Sequence, residues 1–391
     1  MRKNTAAAIV RSIAFAPSLS TPTDSLSHDS LPLAALFDWK SNRARMGSSS
    51  PASAAEINPQ TAEAATPDLS KLSLHESDAD ANPQATTPDL SKLEKFAYQK
   101  GDALFGYIEE SQTALSDDGT AHFGRFLDAG TGSHSLRWIA SLVHRDRLLA
   151  DCVDHGARSA PRASLASYTA VTADATMRRK VLDEARALGV AGAGEVVIGN
   201  WQAEAAGAAD DGPPALLAGR TFDTILADYL VGAIDGFAPY FQDRIFRRLA
   251  PHLAPGGRLY VVGLQPIPDE APGDADVFCR ITKVRDACIK LAGHRCYREY
   301  PQDWIERQIE GAGMTVVAAR RYPIRYDKFT MIRQINVARS KLKLFPSTGL
   351  AREMGKVLDG LEKESAAVTE KHGGRITLGF DYVVVAERPK E

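Results

Sequence analysis

From about residue 94 onward the apolar positions change period in a regular way. Short runs that are apolar throughout, as a strand buried on both faces requires, alternate with stretches whose apolar residues recur every three or four positions, as on one face of a helix. The most informative transition is Phe126-Leu-Asp-Ala-Gly-Thr-Gly-Ser-His-Ser-Leu-Arg-Trp-Ile139, where an apolar strand ends at Asp128 and runs into a turn containing Gly130, Thr131 and Gly132. Leu136, Ile139, Leu142 and Val143 then share one helical face, and the helix is expected over Arg137 to Leu149. Glycines suit that turn because a side chain would hold a ligand away from the backbone, and the helix start offers free N–H groups. A ligand site at the strand's carboxyl end is implied.

The same alternation continues. A second strand is expected at Tyr168–Ala173, ending at Asp174 before a helix from Met177 to Leu188, and a third over Glu195–Trp201. Phe222–Asp228 forms a fourth, ending in Asp228-Tyr229, and a helix is expected from Pro239 to Leu253. Pro255-Gly-Gly reads as a turn setting up the fifth strand, Arg258–Gly263. A helix opening with Pro301 at its first position precedes strand six, Met314–Ala319, and Ile376–Val385 is strand seven. Between six and seven lie helical patterns at Phe329–Leu344 and Leu350–Val368, an insertion over 327–372. Strands alternating with helices predict a doubly wound α/β sheet.

At this point the chain, over residues 91–388, resembles the class I S-adenosylmethionine-dependent methyltransferases. The resemblance rests on the Asp-x-Gly-x-Gly turn, an acid after the second strand, a polar residue after the third, Asp228-Tyr229 after the fourth, and Pro-Gly-Gly ahead of the fifth. It implies a Rossmann-like seven-stranded sheet in the order 3-2-1-4-5-7-6, S-adenosylmethionine as cofactor, and in-line transfer of its methyl to a small molecule. The implied cofactor contacts are Asp128, Gly130, Thr131, Gly132, Asp174, Met177, Asn200, Trp201 and Asp228. The implied catalytic positions are Asp228 and Tyr229, facing the transferred methyl, with His134 as a further base.

Each residue also has a reading without a ligand. The Asp174 carboxylate has two acceptor oxygens for a pair of ribose hydroxyls, but an acid there equally caps a helix. Met177 lies where relatives pack an apolar group on adenine. Asn200 can present donor and acceptor to the adenine edge, and Trp201 a stacking face, or simply a loop indole. Asp228 and Tyr229 can hold or deprotonate a nucleophile, or cap and pack. His134 replaces the third glycine of many relatives; at a helix N-terminus the cationic form is disfavoured, which leaves a neutral ring able to accept a proton.

Composition narrows the remainder. With 44% hydrophobic and 25% charged residues and a net charge of −2, the 391-residue chain is of ordinary globular type, with no global pull toward nucleic acid. Cys152, Cys279, Cys288 and Cys296 form no metal-ligand grouping, so free thiols and no metal are expected. No apolar run approaches the roughly 20 residues of a membrane span. Residues 1–90 are rich in Ala, Ser, Thr and Pro and are expected to be disordered. Thr66–Leu72 recurs as Thr87–Leu93, and the second copy is expected to open the folded domain with Thr87 as helix cap. Residues 1–23 hold Arg2, Lys3 and Arg11 without an acid, and Ala14–Pro17 resembles a plastid presequence cleavage region. Location is therefore cytoplasmic or, through a transit peptide, a plastid or mitochondrion. From Arg280 to Lys343 there are 15 Lys and Arg against 6 Asp and Glu, which favours an anionic substrate or a solvated face. The insertion is expected to serve as a lid over that substrate or as a homodimer surface. A module with the same fold but no chemistry, and a nicotinamide enzyme, stay as alternatives.

Overall fold

Successive strand residues point to opposite sides of a sheet, so a strand apolar throughout must be covered twice. Phe126, Leu226 and Tyr260 are buried on one face, and their neighbours Leu127, Ile225 and Leu259 on the other. The computed structural model describes residues 88–97, 102–150, 160–203 and 216–390. The region before residue 88, with the first Thr66–Leu72 copy and the presequence-like start, lies outside them, as does Cys152.

Seven strands form one sheet: β1 (Thr120–Asp128), β2 (Arg162–Thr172), β3 (Gly194–Ile198), β4 (Phe222–Asp228), β5 (Leu253–Leu264), β6 (Thr315–Asp327) and β7 (Arg375–Glu387). Their order is β3-β2-β1-β4-β5-β7-β6. β1 to β5 are mutually parallel, and β7 runs antiparallel between β5 and β6. The sheet is thus the doubly wound, Rossmann-like one expected. Its chain order reverses beside β1, which leaves a crevice at the carboxyl ends of β1, β2 and β4.

One face is covered by α1 (Glu94–Ala97), α2 (Ala103–Thr113), α3 (Ser133–Val143), α4 (Arg145–Ala150) and α5 (Ala175–Ala187), through Phe96, Phe105, Ile108, Leu136, Ile139, Leu148 and Val181. α6 (Leu230–Ala233), α7 (Ile245–Leu249) and α9 (Gln302–Gly311) pack on the other through Leu230, Phe246, Leu249, Ile305 and Ile309. A third core joins α8 (Asp276–Leu291) to the insertion helices α10 (Lys328–Lys341) and α11 (Thr348–Lys371), over the ends of β5, β6 and β7. There Phe278 stacks on Tyr326 at 3.7 Å between ring centres. Cys279, Cys288 and Cys296 are buried free thiols. Among the described residues no helix is long and apolar enough to cross a membrane.

Several elements differ from their sequence reading. The helix expected at Pro239–Leu253 shrinks to α7 and a 3-10 turn, Ala250–His252, because Tyr240 adopts φ +71 and breaks the run. Pro255-Gly-Gly is an irregularity inside β5: Phe222 pairs with Leu253 but Thr224 with Arg258, and Gly256 takes φ +74. Pro301 is the cap residue of α9, one position before the helix. The Arg137–Leu149 helix begins at Ser133 and divides at His144. Asp89, whose side chain accepts from Ser91 N, opens the folded part, and Thr87 lies outside the described residues. Helix α8 was not read from sequence, because Arg280, Lys283, Arg285 and Lys290 interrupt its apolar positions and made the stretch look like a charge run.

The helices of the first face are locked by a buried ion pair. Arg145 on α4 donates to both carboxylate oxygens of Glu109 on α2, at 2.8 and 3.1 Å, and to Phe96 O of α1; Trp138 Nε1 of α3 donates to the same carboxylate at 2.8 Å. Both charges are nearly fully buried. Burial raises the Glu109 pKa in spite of the opposing guanidinium. Arg145→Leu leaves Glu109 buried and alone, and is expected to cost about 3 to 5 kcal/mol, whereas the Glu109→Leu/Arg145→Leu pair should regain most of that loss. Urea denaturation of both variants measures the difference; equal losses would show that the charges do not interact.

Candidate active site

The turn after β1 is pinned between its two neighbours. Ala129 N donates to Leu226 O of β4 and Thr131 N to Val171 O of β2, each at 2.8 Å. Gly132 N then donates to Ser135 Oγ at 3.1 Å as α3 begins. The two glycines have different reasons. A Cβ on Gly130 would come within 2.9 Å of the tip of the Leu230 side chain, which would have to shift to admit it. Gly132 is extended, and a Cβ on it would meet nothing within 4 Å. Neither backbone conformation nor a protein neighbour requires glycine at 132, so the open space suits a ligand lying against the chain.

Beside this turn is a group of polar atoms that the protein does not satisfy. Both carboxylate oxygens of Asp128, together with Thr131 Oγ1 and Ser133 Oγ, are buried without a hydrogen-bond partner. Burial pushes the Asp128 pKa up to about 6; Ser135, Thr131 and the Gly130 N–H lie close enough to oppose that rise, though none makes a well-formed bond to it. Buried polar groups are normally paired, so an orphaned carboxylate and two orphaned hydroxyls around one glycine turn fit a ligand carrying a cationic, hydrogen-bonding end. The ammonium of a bound amino acid is of that kind.

The other cofactor candidates are largely engaged by the protein. Asp174 Oδ1 accepts from Met177 N at 2.6 Å, capping α5, which leaves its second oxygen for another role. Met177 is buried in the first core with Val181. Asn200 donates to Phe237 O at 2.9 Å and accepts from Gln202 N at 3.0 Å, so its amide stitches loops together. Trp201 is buried, and its Nε1 donates to Ala129 O at 2.7 Å. The indole is therefore tied to the start of the glycine turn.

At the end of β4, Asp228 is followed by Tyr229 in a left-handed conformation, φ +49 and ψ +24, held by Tyr229 N donating to Val262 O at 2.9 Å. A tyrosine is seldom found there, and such strain persists only where surroundings impose it. The turn aims the ring at a cluster of acids. Burial, followed by the charges of Asp381, Asp228 and Asp102, holds the phenol neutral far above its ordinary pKa. His134 joins the cluster from α3: its Nε2 lies 2.8 Å from Asp102 Oδ2, and Lys95 Nζ reaches its Nδ1 at 3.5 Å. Its ring lies against Phe96 and Phe105. Burial opposes ionisation of Asp102, but His134 and the Leu104 N–H outweigh it and lower the pKa.

The structure thus brings Asp128, Gly130, Thr131 and Gly132 together at one spot, and Asp228, Tyr229 and His134 around another. Asp102 and Asp381 were missed in the sequence. Asp102 carried a weak signal as a cap before Ala103–Thr113, and Asp381 a stronger one, being an acid next to the apolar run Tyr382–Ala386 of β7. Among the described residues no group of three or more His, Cys, Asp or Glu is placed to hold a metal ion.

No family model matches the chain, and no curated protein does. Among solved structures, it is similar to the [4+2]-cyclase SpnF, at 14% identity and a TM-score of 0.36 over 75% of this chain and 88% of that one. A SAM-dependent methyltransferase from Geobacter sulfurreducens, in complex with S-adenosyl-L-homocysteine, is 15% identical with a TM-score of 0.33 over 68% and 84%. For the phosphoethanolamine N-methyltransferase 2 of Haemonchus contortus, in complex with S-adenosyl-L-methionine, the values are 14% and 0.34 over 68% and 49%. Likeness this distant says nothing of activity or ligand.

The Asp128 carboxyl has a folded pKa of about 6 against 3.8 for the free side chain, so folding takes up a proton between those values. Its contribution therefore favours the folded apo-protein at low pH and is lost as pH rises through about 6. Asp128→Asn, neutral throughout, should gain melting temperature relative to the parent at about pH 7.5 and lose that advantage at about pH 4.5. Thermal melts at both pH values check this; a pH-independent difference would mean that Asp128 is not a strained carboxylate.

Proposed function

We propose that the chain is an S-adenosylmethionine-dependent methyltransferase acting on a small molecule. The observation that carries this reading is the orphaned set of Asp128, Thr131 and Ser133 around an open Gly132 at the switch point of the sheet. Asp128 would hold the ammonium of the cofactor's methionine end, with Thr131 and Ser133 beside it, and the free oxygen of Asp174 would accept from a ribose hydroxyl. When bound, S-adenosylmethionine supplies a methyl group on a sulfonium, together with its leaving group.

What remains for the protein is to orient the acceptor and move its proton. Asp228 is the base, and the neutral Tyr229 phenol, fixed by Asp381, donates a hydrogen bond that orients the acceptor. His134 is secondary, because Asp102 occupies its Nε2 and Lys95 its Nδ1; it accepts a proton only once Lys95 withdraws. An anionic substrate draws less support than the charge count suggests. Arg280, Arg285, Arg295, Arg298, Arg307, Arg320 and Arg339 all make ion pairs with acids. Lys341 is a buried exception: it contacts His294 Nδ1 at 3.0 Å, has no ion pair with an acid among the described residues, and is the point at which an acidic group would be held.

A binding module without chemistry is the second reading. It is favoured by the engagement of Met177, Asn200 and Trp201 in the protein's own packing. Isothermal titration with S-adenosylmethionine and with NAD separates both from a nicotinamide enzyme. Given a substrate from a screen with labelled S-adenosylmethionine, Asp228→Asn should lower turnover about 10² to 10⁴-fold with cofactor affinity nearly intact. Turnover at the parent rate would move the base to His134.

A further inference from the structure

Residues 293–300, which link α8 to α9, cross the carboxyl edge of the sheet as a strap. One end is fixed by His294 against Lys341 of the insertion, and the other by Tyr300 O, which accepts from Tyr382 OH at 2.8 Å. In between, Arg295 pairs with the buried Asp235 at 3.1 Å and lies over the Tyr240 ring, while Cys296 Sγ donates to Asp286 O. The Glu299 carboxylate lies against Gly232 so closely that a Cβ there would be 2.8 Å from it. The strap therefore rests on the segment that follows β4.

Tyr297 is at its centre, and its hydroxyl is buried with no hydrogen-bond partner. The charges of Asp235 and Asp174 both act on that hydroxyl, after burial itself, and raise its pKa. Asp174 follows β2 and Asp235 follows β4, the two strands that flank β1. Arg295 and Glu299, on either side of Tyr297, rest on Asp235 and Gly232 of the segment after β4, so the strap holds Tyr297 beside the carboxyl ends of the strands that flank the glycine turn. Nothing in the protein's own packing explains a polar atom there: Asp235 is already neutralised by Arg295, and the near oxygen of Asp174 is spent on Met177 N. A buried hydroxyl without a partner is costly, and a phenyl ring would fill the same space.

We propose that Tyr297 roofs the nucleoside part of the cofactor site and that its hydroxyl, opposite the second oxygen of Asp174, makes the other half of a two-sided grip on a ribose diol. This rests on the methyltransferase reading, and it adds a residue of the strap to a site otherwise built from strand ends. A vicinal diol suits the pair, because a carboxylate only accepts, whereas a phenol both donates and accepts. The strap thereby joins cofactor recognition to the insertion helices through His294 and Lys341.

The test is calorimetric titration of the full chain and of Tyr297→Phe with S-adenosylhomocysteine and with its 2′,3′-dideoxy counterpart. The parent should prefer the diol ligand, and Tyr297→Phe should bind S-adenosylhomocysteine about fivefold more weakly, within the range for one neutral hydrogen bond, while both proteins take the dideoxy ligand alike. Unchanged affinity for S-adenosylhomocysteine overturns the proposal. So does an equal loss for both ligands, which would mark Tyr297 as packing. A parent chain that binds neither ligand removes the methyltransferase reading itself and the proposal with it, an outcome distinct from the other two.

Discussion

A parallel strand flanked on both sides has nowhere to turn a polar group except its end, and β1 is the strand for which this matters most. Its residues Phe123, Phe126 and Leu127 are wholly buried, and the first polar side chain at its carboxyl end, Asp128, is buried with them. Desolvating a carboxylate without a partner is among the larger penalties a fold can carry. The surroundings of Asp128 are consistent with that penalty being offset from outside the chain. Hydroxyls are gathered around it, the turn that follows is tied to both neighbouring strands, and the space over Gly132 is left clear.

How much of this was legible in sequence depended on whether a signal was local. The strands of the sheet and the glycine turn were readable because an apolar run and a turn each announce themselves within a few residues. The Pro239–Leu253 helix failed for the same reason: its composition suits a helix, and no local pattern announces the left-handed turn at the exposed Tyr240. Asp102 and Asp381 reach the site from α2 and β7, far apart in sequence, and no local pattern pairs them with Tyr229. Trp201 was read as a stacking face for adenine or a loop indole, and its hydrogen bond to Ala129 O, across 72 residues, carried no local signal.

The insertion helices show how a charge count can mislead. Arg280 pairs with Glu364, Arg339 with Asp359 and Glu362, and Arg320 with Glu110, all acids beyond the basic stretch. Exposed pairs of this kind stabilise little individually. Their effect here is to use up donors, so that the local excess in the sequence does not become a field in space. Helix α8 escaped notice for a related reason, since its arginines face partners on α10 and α11 while its apolar side closes the third core.

β6 forms one margin of the sheet, and its outer side bears on how this molecule meets others. Arg320, Arg321 and Arg325 are exposed along it, and Pro323, which has no amide to donate, lies within it. Charge and proline on a margin are the means by which proteins refuse strand-by-strand growth. On that flank, self-association by shared hydrogen-bonded ribbons is disfavoured, so a second copy docking there would have to come in through helices, where contacts close on themselves instead of propagating into fibres.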